Sequence, residues 1–127
     1  MNLSIIEDIK KVHLISLGCA RNRVDSEVML GGLLGRGWNF ESQIENSDVI
    51  IINTCGFIEA AKEESINTIL ECAEYKKENK DLKIVVAGCL TQRYKTQLAK
   101  GLPEVDLFVG TDEFVRLPEL LKNDSER

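Results

Sequence analysis

Four largely apolar runs constrain this chain most: "KVHLISL" at 11–17, "SDVIIIN" at 47–53, "LKIVVAG" at 82–88 and "VDLFVG" at 105–110, the second of them continuous. A run without polar alternation suits a strand covered on both faces. Between the runs lie longer segments with helical periodicity. "NRVDSEVMLGGLLGRG" at 22–37 reads as a helix, with Asn22 as its N-cap and Asp25 and Glu27 in its first turn. Val24, Val28, Met29, Leu33 and Leu34 form its apolar stripe, and Gly35 or Gly37 ends it. A second helix, over about residues 57–79, buries Ile58, Ala61, Ile66, Ile69, Leu70 and Ala73, with Lys62, Glu63, Glu71, Lys76 and Lys77 outside. "QRYKTQLAKG" at 92–101 is a short helix stopped by Gly101 and Pro103, and a terminal helix begins within 113–123. "WNFES" at 38–42 reads as a short additional strand.

Strands alternating with helices of this length predict a parallel α/β sheet with right-handed crossovers. Five strands and about four helices fit a flavodoxin-like three-layer sandwich, with strand order 2-1-3-4-5. The 127 residues are enough for one domain with an ordinary core. A net charge of −5 is a poor footprint for gripping nucleic-acid phosphates. No apolar stretch approaches the roughly 20 residues needed to cross a bilayer. "MNLSIIEDIKK" has acids inside its short apolar part and reads as neither signal peptide nor anchor.

The four cysteines are too few for a small disulfide scaffold. In a chain of this type, patterned cysteines more often bind metal or do redox work. Three of them, Cys19, Cys55 and Cys89, each follow an apolar run within a residue or two, and each has an adjacent glycine: Gly18, Gly56 and Gly88. In open α/β sheets, ligands bind outside the carboxyl ends of the strands, where the winding reverses. In the order 2-1-3-4-5 the three cysteines follow three neighbouring strands, about 4.8 Å apart. Glycine lets backbone approach a bound object, and the following helix N-termini lower thiol pKa and favour anions.

Any one cysteine alone would read as core packing, but three at equivalent strand ends would not. Cys72, three residues after Ile69, belongs to the core of the second helix. Structural zinc wants four ligands with close-spaced pairs, and no such pair exists here. The single histidine, His13, falls inside strand 1 as a buried, satisfied side chain. Three thiolates with no fourth suit a 4Fe-4S cluster with one open iron, ahead of an open three-cysteine zinc site. Asp25-Ser26-Glu27 reads as dipole partners ahead of a catalytic group. Arg21, Arg23 and Arg93 either offset the charge of a thiolate cluster or are solvated surface. Asn53 and Thr54 either donate hydrogen bonds to cluster sulfur or cap the loop. No phosphate-binding glycine motif is present, which weakens a nucleotide-binding reading.

These segments resemble a known family. "SLGCARNRVDSE", "NTCGFIEAAKEES", "AGCLTQRY" and "LPEVDLFVGTDEF" are similar to the N-terminal domain of the radical S-adenosylmethionine methylthiotransferases, from about residue 11 to 122. By that resemblance Cys19, Cys55 and Cys89 hold an auxiliary 4Fe-4S cluster, and Cys72 has no counterpart. Val24-Asp25-Ser26-Glu27, Gly56-Phe57-Ile58 and Glu64-Ser65 look like the branch that adds a methylthio group to the β-carbon of an aspartate in small-subunit ribosomal protein twelve. The alternatives are the tRNA adenosine branch, a flavodoxin-like interaction module without a cluster, and a thiol-redox protein. The resemblance implies a cytoplasmic enzyme with a second 4Fe-4S cluster and S-adenosylmethionine on a separate radical domain, and a C-terminal substrate-binding domain.

The family's C-x-x-x-C-x-x-C spacing is missing here. The expectation is therefore a fragment, inactive alone. Its divisions would be an extension over 1–10, the domain over 11–122 and the start of a linker over 123–127.

Overall fold

The computed structural model describes residues 11–17, 20–54, 59–88, 100–110, 117 and 119. Five strands form one sheet: β1 (Lys11–Ser16), β2 (Asn39–Phe40), β3 (Val49–Thr54), β4 (Lys83–Gly88) and β5 (Leu107–Val109). All pairs are parallel, in the order β2-β1-β3-β4-β5. This is the flavodoxin-like arrangement expected from the apolar runs. Two long helices, α1 (Ala20–Leu34) and α2 (Glu59–Glu78), carry the chain from β1 and β3 to the next strands.

The two faces of the sheet sort by residue parity, as a period of two requires. Val49, Ile51, Val85 and Ala87 pack with Met29 and Leu33 of α1 and with Leu117. Ile50, Ile52, Ile84 and Val86 pack with Ile69 and Cys72 of α2 and with Leu102. Every residue of β3 is buried, so the run "VIIINT" is the central strand of a three-layer sandwich. β2 has both residues exposed, as befits an edge.

Only a 3-10 turn, Ile44–Asn46, joins β2 to β3. Ile15, Ile44, Thr68, Cys72 and Tyr75 line a cavity of about 500 Å³ beside α2. His13 is satisfied as expected but only half-buried: its Nδ1 donates to the Glu41 carbonyl at 2.8 Å, and its ring stacks on Phe40.

Several local expectations are corrected. α1 starts at Ala20, so Asn22 is a helical residue and not the N-cap. Alanine and arginine are strong helix formers, and the helix takes them in. Its first turn consequently holds no acid, and Asp25 and Glu27 fall beyond it. The apolar stripe is also turned: Met29 and Leu33 are fully buried, while Val28 is 50% and Leu34 44% exposed. On α2, Leu70 is 47% exposed and Ser65 is buried, while Ile69 and Cys72 are buried as expected. The other end went as read: α1 stops at Leu34, and Gly37 takes the left-handed conformation, φ 94°, in the turn that follows.

The side chains of Val24, Ala61 and Lys62, and Ile58 itself, lie outside the described residues. So does most of the expected helix over 92–101; its last two residues, Lys100 and Gly101, are helical. Leu117 and Glu119 are helical within the expected terminal helix.

Candidate functional site at the carboxyl edge of the sheet

Cys19, Cys55 and Cys89 lie outside the described residues, as do Arg93 and the side chains of Arg21, Arg23 and Asp25. The structure does describe the strand ends from which the cysteine segments depart. Cys19 comes three residues after the end of β1, and Cys55 and Cys89 each come one residue after the ends of β3 and β4. Those three strands are neighbours, with Ser16 opposite Asn53 and Thr54 opposite Gly88. The Leu17 N–H donates to the Asn53 carbonyl at 3.0 Å, carrying the β1–β3 ladder to within two residues of Cys19.

Gly88 shows how closely this edge is packed. Its φ is +103°, in the left-handed region that side chains rarely adopt. A Cβ placed on it would stand 2.5 Å from the Thr54 carbonyl oxygen and 2.6 Å from Asn53 Oδ1. Glycine is required there by both conformation and space. Sequence reasoning singled out Gly88 for its closeness to a bound object; the close approach found is to β3.

Beneath the edge lie three buried polar side chains. Asn53 and Thr54 are fully buried, and Ser26 of α1 is 3% exposed. Asn53 Nδ2 donates to Ser26 Oγ at 2.9 Å. Thr54 Oγ1 donates to the Ala87 carbonyl at 2.6 Å, tying β3 to β4. Among the described residues, these two bonds join one secondary-structure element to another. Sequence reasoning names Ser26 only within Asp25-Ser26-Glu27 and does not foresee its bond to Asn53. The available signal was its place three residues before Met29 and seven before Leu33, on the buried stripe of α1.

Cys72 is a free, buried thiol, as the sequence suggested. Burial pushes its pKa from the ordinary 9.0 up to about 11, with Glu71 nearby adding to the shift. It is inert packing on the α2 face. Among the described residues, no group of three or more His, Cys, Asp or Glu gathers to hold a metal. No described helix is long and apolar enough to cross a membrane.

Residues 11–110 match the model of the uncharacterized protein family UPF0004. The chain belongs to that family. Among similar curated proteins, one from Bdellovibrio bacteriovorus is 55% identical over 92% of this chain and 26% of its own length. One from Acetivibrio thermocellus is 50% identical over 93% of this chain and 28% of its own. A third, from Campylobacter fetus, is 54% identical over 87% of this chain and 24% of its own. All three carry the name ribosomal protein uS12 methylthiotransferase RimO. This UPF0004 chain thus spans about a quarter of the length of the curated relatives it matches. The motif resemblance and the relatives' names agree on the family.

Proposed function

We propose that this chain is the N-terminal, cluster-holding domain of a ribosomal protein uS12 methylthiotransferase, with Cys19, Cys55 and Cys89 as ligands of a 4Fe-4S cluster. The observation that carries the reading is the adjacency of β1, β3 and β4 in a parallel sheet, each followed within three residues by one of these cysteines. The donor set fits the group. It offers three thiols from three segments that leave neighbouring rungs about 4.8 Å apart.

Held by three thiolates, such a cluster keeps one iron open to an outside ligand, which is the chemistry it would supply to sulfur transfer. The chain's own residues hold and shield that edge. Gly88 admits the close approach of β4 to β3. The Thr54 bond to Ala87 fixes the two strand ends together. The buried layer beneath, Ile52, Val86 and Ala87, excludes water from below.

The domain runs over 11–122, with 1–10 an extension and 123–127 the start of a linker. The second 4Fe-4S cluster, the S-adenosylmethionine site and the contacts to the substrate aspartate belong to the remaining three-quarters of the longer protein. The setting is cytoplasmic, where ribosomal proteins are made and modified.

The test is iron and acid-labile sulfide per chain after anaerobic reconstitution. Wild type and Cys72→Ala should hold about four irons, and Cys19→Ala, Cys55→Ala and Cys89→Ala should lose them. Wild type without iron in both this chain and the full-length protein would sink the cluster reading. Full-length protein given S-adenosylmethionine and a reductant should then add a methylthio group to uS12 and not to tRNA; the reverse would overturn the substrate.

A further inference from the structure

We infer that Asn53 is the positioning residue that sets the three cysteine-bearing segments relative to one another, through contacts its side chain and backbone make to all three. This rests on the cluster reading above. The Asn53 carbonyl accepts the Leu17 N–H at 3.0 Å, two residues before Cys19. Its Nδ2 donates at 2.9 Å to Ser26 Oγ, on the helix that follows Cys19. Its own strand runs into Cys55 two residues on. Its Oδ1 lies 2.6 Å from where a Gly88 Cβ would stand, one residue before Cys89. One residue therefore belongs to the Cys55 segment, bonds through its backbone to the strand before Cys19, and sets its side chain between the helix after Cys19 and the strand before Cys89.

The setting makes this choice of residue informative. Asn53 is fully buried in a strand whose preceding four residues are Val49, Ile50, Ile51 and Ile52. Another β-branched side chain would suit that strand's packing, and a buried amide is costly unless its donors and acceptor find partners. Parity places Asn53 on the α1 face, where the partner is Ser26, itself buried. A planar amide bonded on one side and packed on the other has one orientation, whereas an aliphatic side chain accepts several rotamers. Groups that orient metal ligands from behind typically change metal affinity ten- to a hundredfold when removed.

The test compares reconstituted wild type with Asn53→Ala and Ser26→Ala, and with Ile69→Val as a core control on the opposite face. Folding is checked by circular dichroism and thermal melts. The readouts are the rate of iron loss to a chelator and the electron paramagnetic resonance spectrum of the reduced cluster. Asn53→Ala should lose iron about ten- to a hundredfold faster, with an altered spectrum. Ser26→Ala should shift both in the same direction by less, and the double variant should be no worse than Asn53→Ala. Ile69→Val should lower the melting temperature yet keep the wild-type rate and spectrum.

A folded Asn53→Ala with wild-type rate and spectrum overturns the role. If Asn53→Ala does not fold, an unchanged rate and spectrum in Ser26→Ala overturns it equally. Wild type that binds no iron, in both this chain and the full-length protein, removes the cluster reading, and this role with it; loaded wild type with silent variants removes this role alone.

Discussion

Gly88 of β4 sits opposite Thr54 of β3, so close that a Cβ on Gly88 would stand 2.5 Å from the Thr54 carbonyl oxygen. The obstruction is backbone in a central strand pair, which has nowhere to move. This contact and the positive φ of Gly88 make the last rung before Cys55 and Cys89 intolerant of any side chain.

Gly88→Ala should therefore destabilise the fold by about 2–5 kcal/mol, combining strain at a positive φ with overpacking. Urea unfolding followed by circular dichroism reads this directly. Gly101→Ala, where an added Cβ meets nothing within 4 Å, is the control and should stay within about 0.5 kcal/mol of wild type.

Cys72 supplies a pH dependence. Its folded pKa is raised to about 11 from 9.0, so above pH 9 the unfolded chain has released a proton that the folded chain keeps. The folded state binds more protons there, and stability falls as pH rises. The contribution is fully present below pH 9 and is lost progressively toward pH 11. Cys72→Ala should flatten the decline between those values by about 1–3 kcal/mol, at the cost of some packing. At pH 8 the native thiol should react with a disulfide reagent orders of magnitude more slowly than after denaturation.

Asp106 fastens the start of β5. Its Oδ2 accepts the Ile84 N–H at 2.8 Å and the Lys76 ammonium at 2.7 Å, while its own N–H donates to the Ile84 carbonyl at 2.9 Å. Asp106→Ala removes the partner of a backbone donor on buried Ile84 and should cost about 1–3 kcal/mol. Lys76→Met removes a partly exposed ion pair and an exposed hydrogen bond to the Glu104 carbonyl, and should cost about 0.2–1 kcal/mol. Equal losses in thermal or urea unfolding would mean that the ion pair, not the backbone bond, carries the link.

The phase of α1 gives a comparison within one helix. Met29→Ala should cost about 2–4 kcal/mol, because the fully buried side chain leaves a cavity under the sheet. Val28→Ala, one position away and half exposed, should stay within about 0.5 kcal/mol of wild type. The opposite order would put the sheet against the other side of the helix.

The phase of the helices is where sequence reading reached its limit. Val28, Met29, Leu33 and Leu34 are all apolar, and together they spread over more than one face of α1. Periodicity shows that such a helix has a buried side; the docking angle on the sheet decides which residues form it, and here it selects Met29 and Leu33. Asn22 misled for a related reason. It is a good cap in isolation, but α1 begins two residues earlier, and no local rule forbids that.

The strand order came through intact because it depends on coarse features. Continuous apolar runs, helix-length spacers and right-handed crossovers leave few ways to wind a five-stranded parallel sheet. From that order alone, the neighbouring positions of β1, β3 and β4 followed, and with them the common edge from which the three cysteine segments depart.

The winding of the sheet and the family were legible in the sequence alone. These rest on patterns many residues long. Only the tertiary structure decided how the edge is held. Ser26 and Asn53 are 27 residues apart, and Thr54 and Ala87 are 33 apart. No spacing rule connects them. Their bonds exist because strand parity turns Asn53 toward α1, and because Gly88 lets two chain segments meet closer than any side chain would permit.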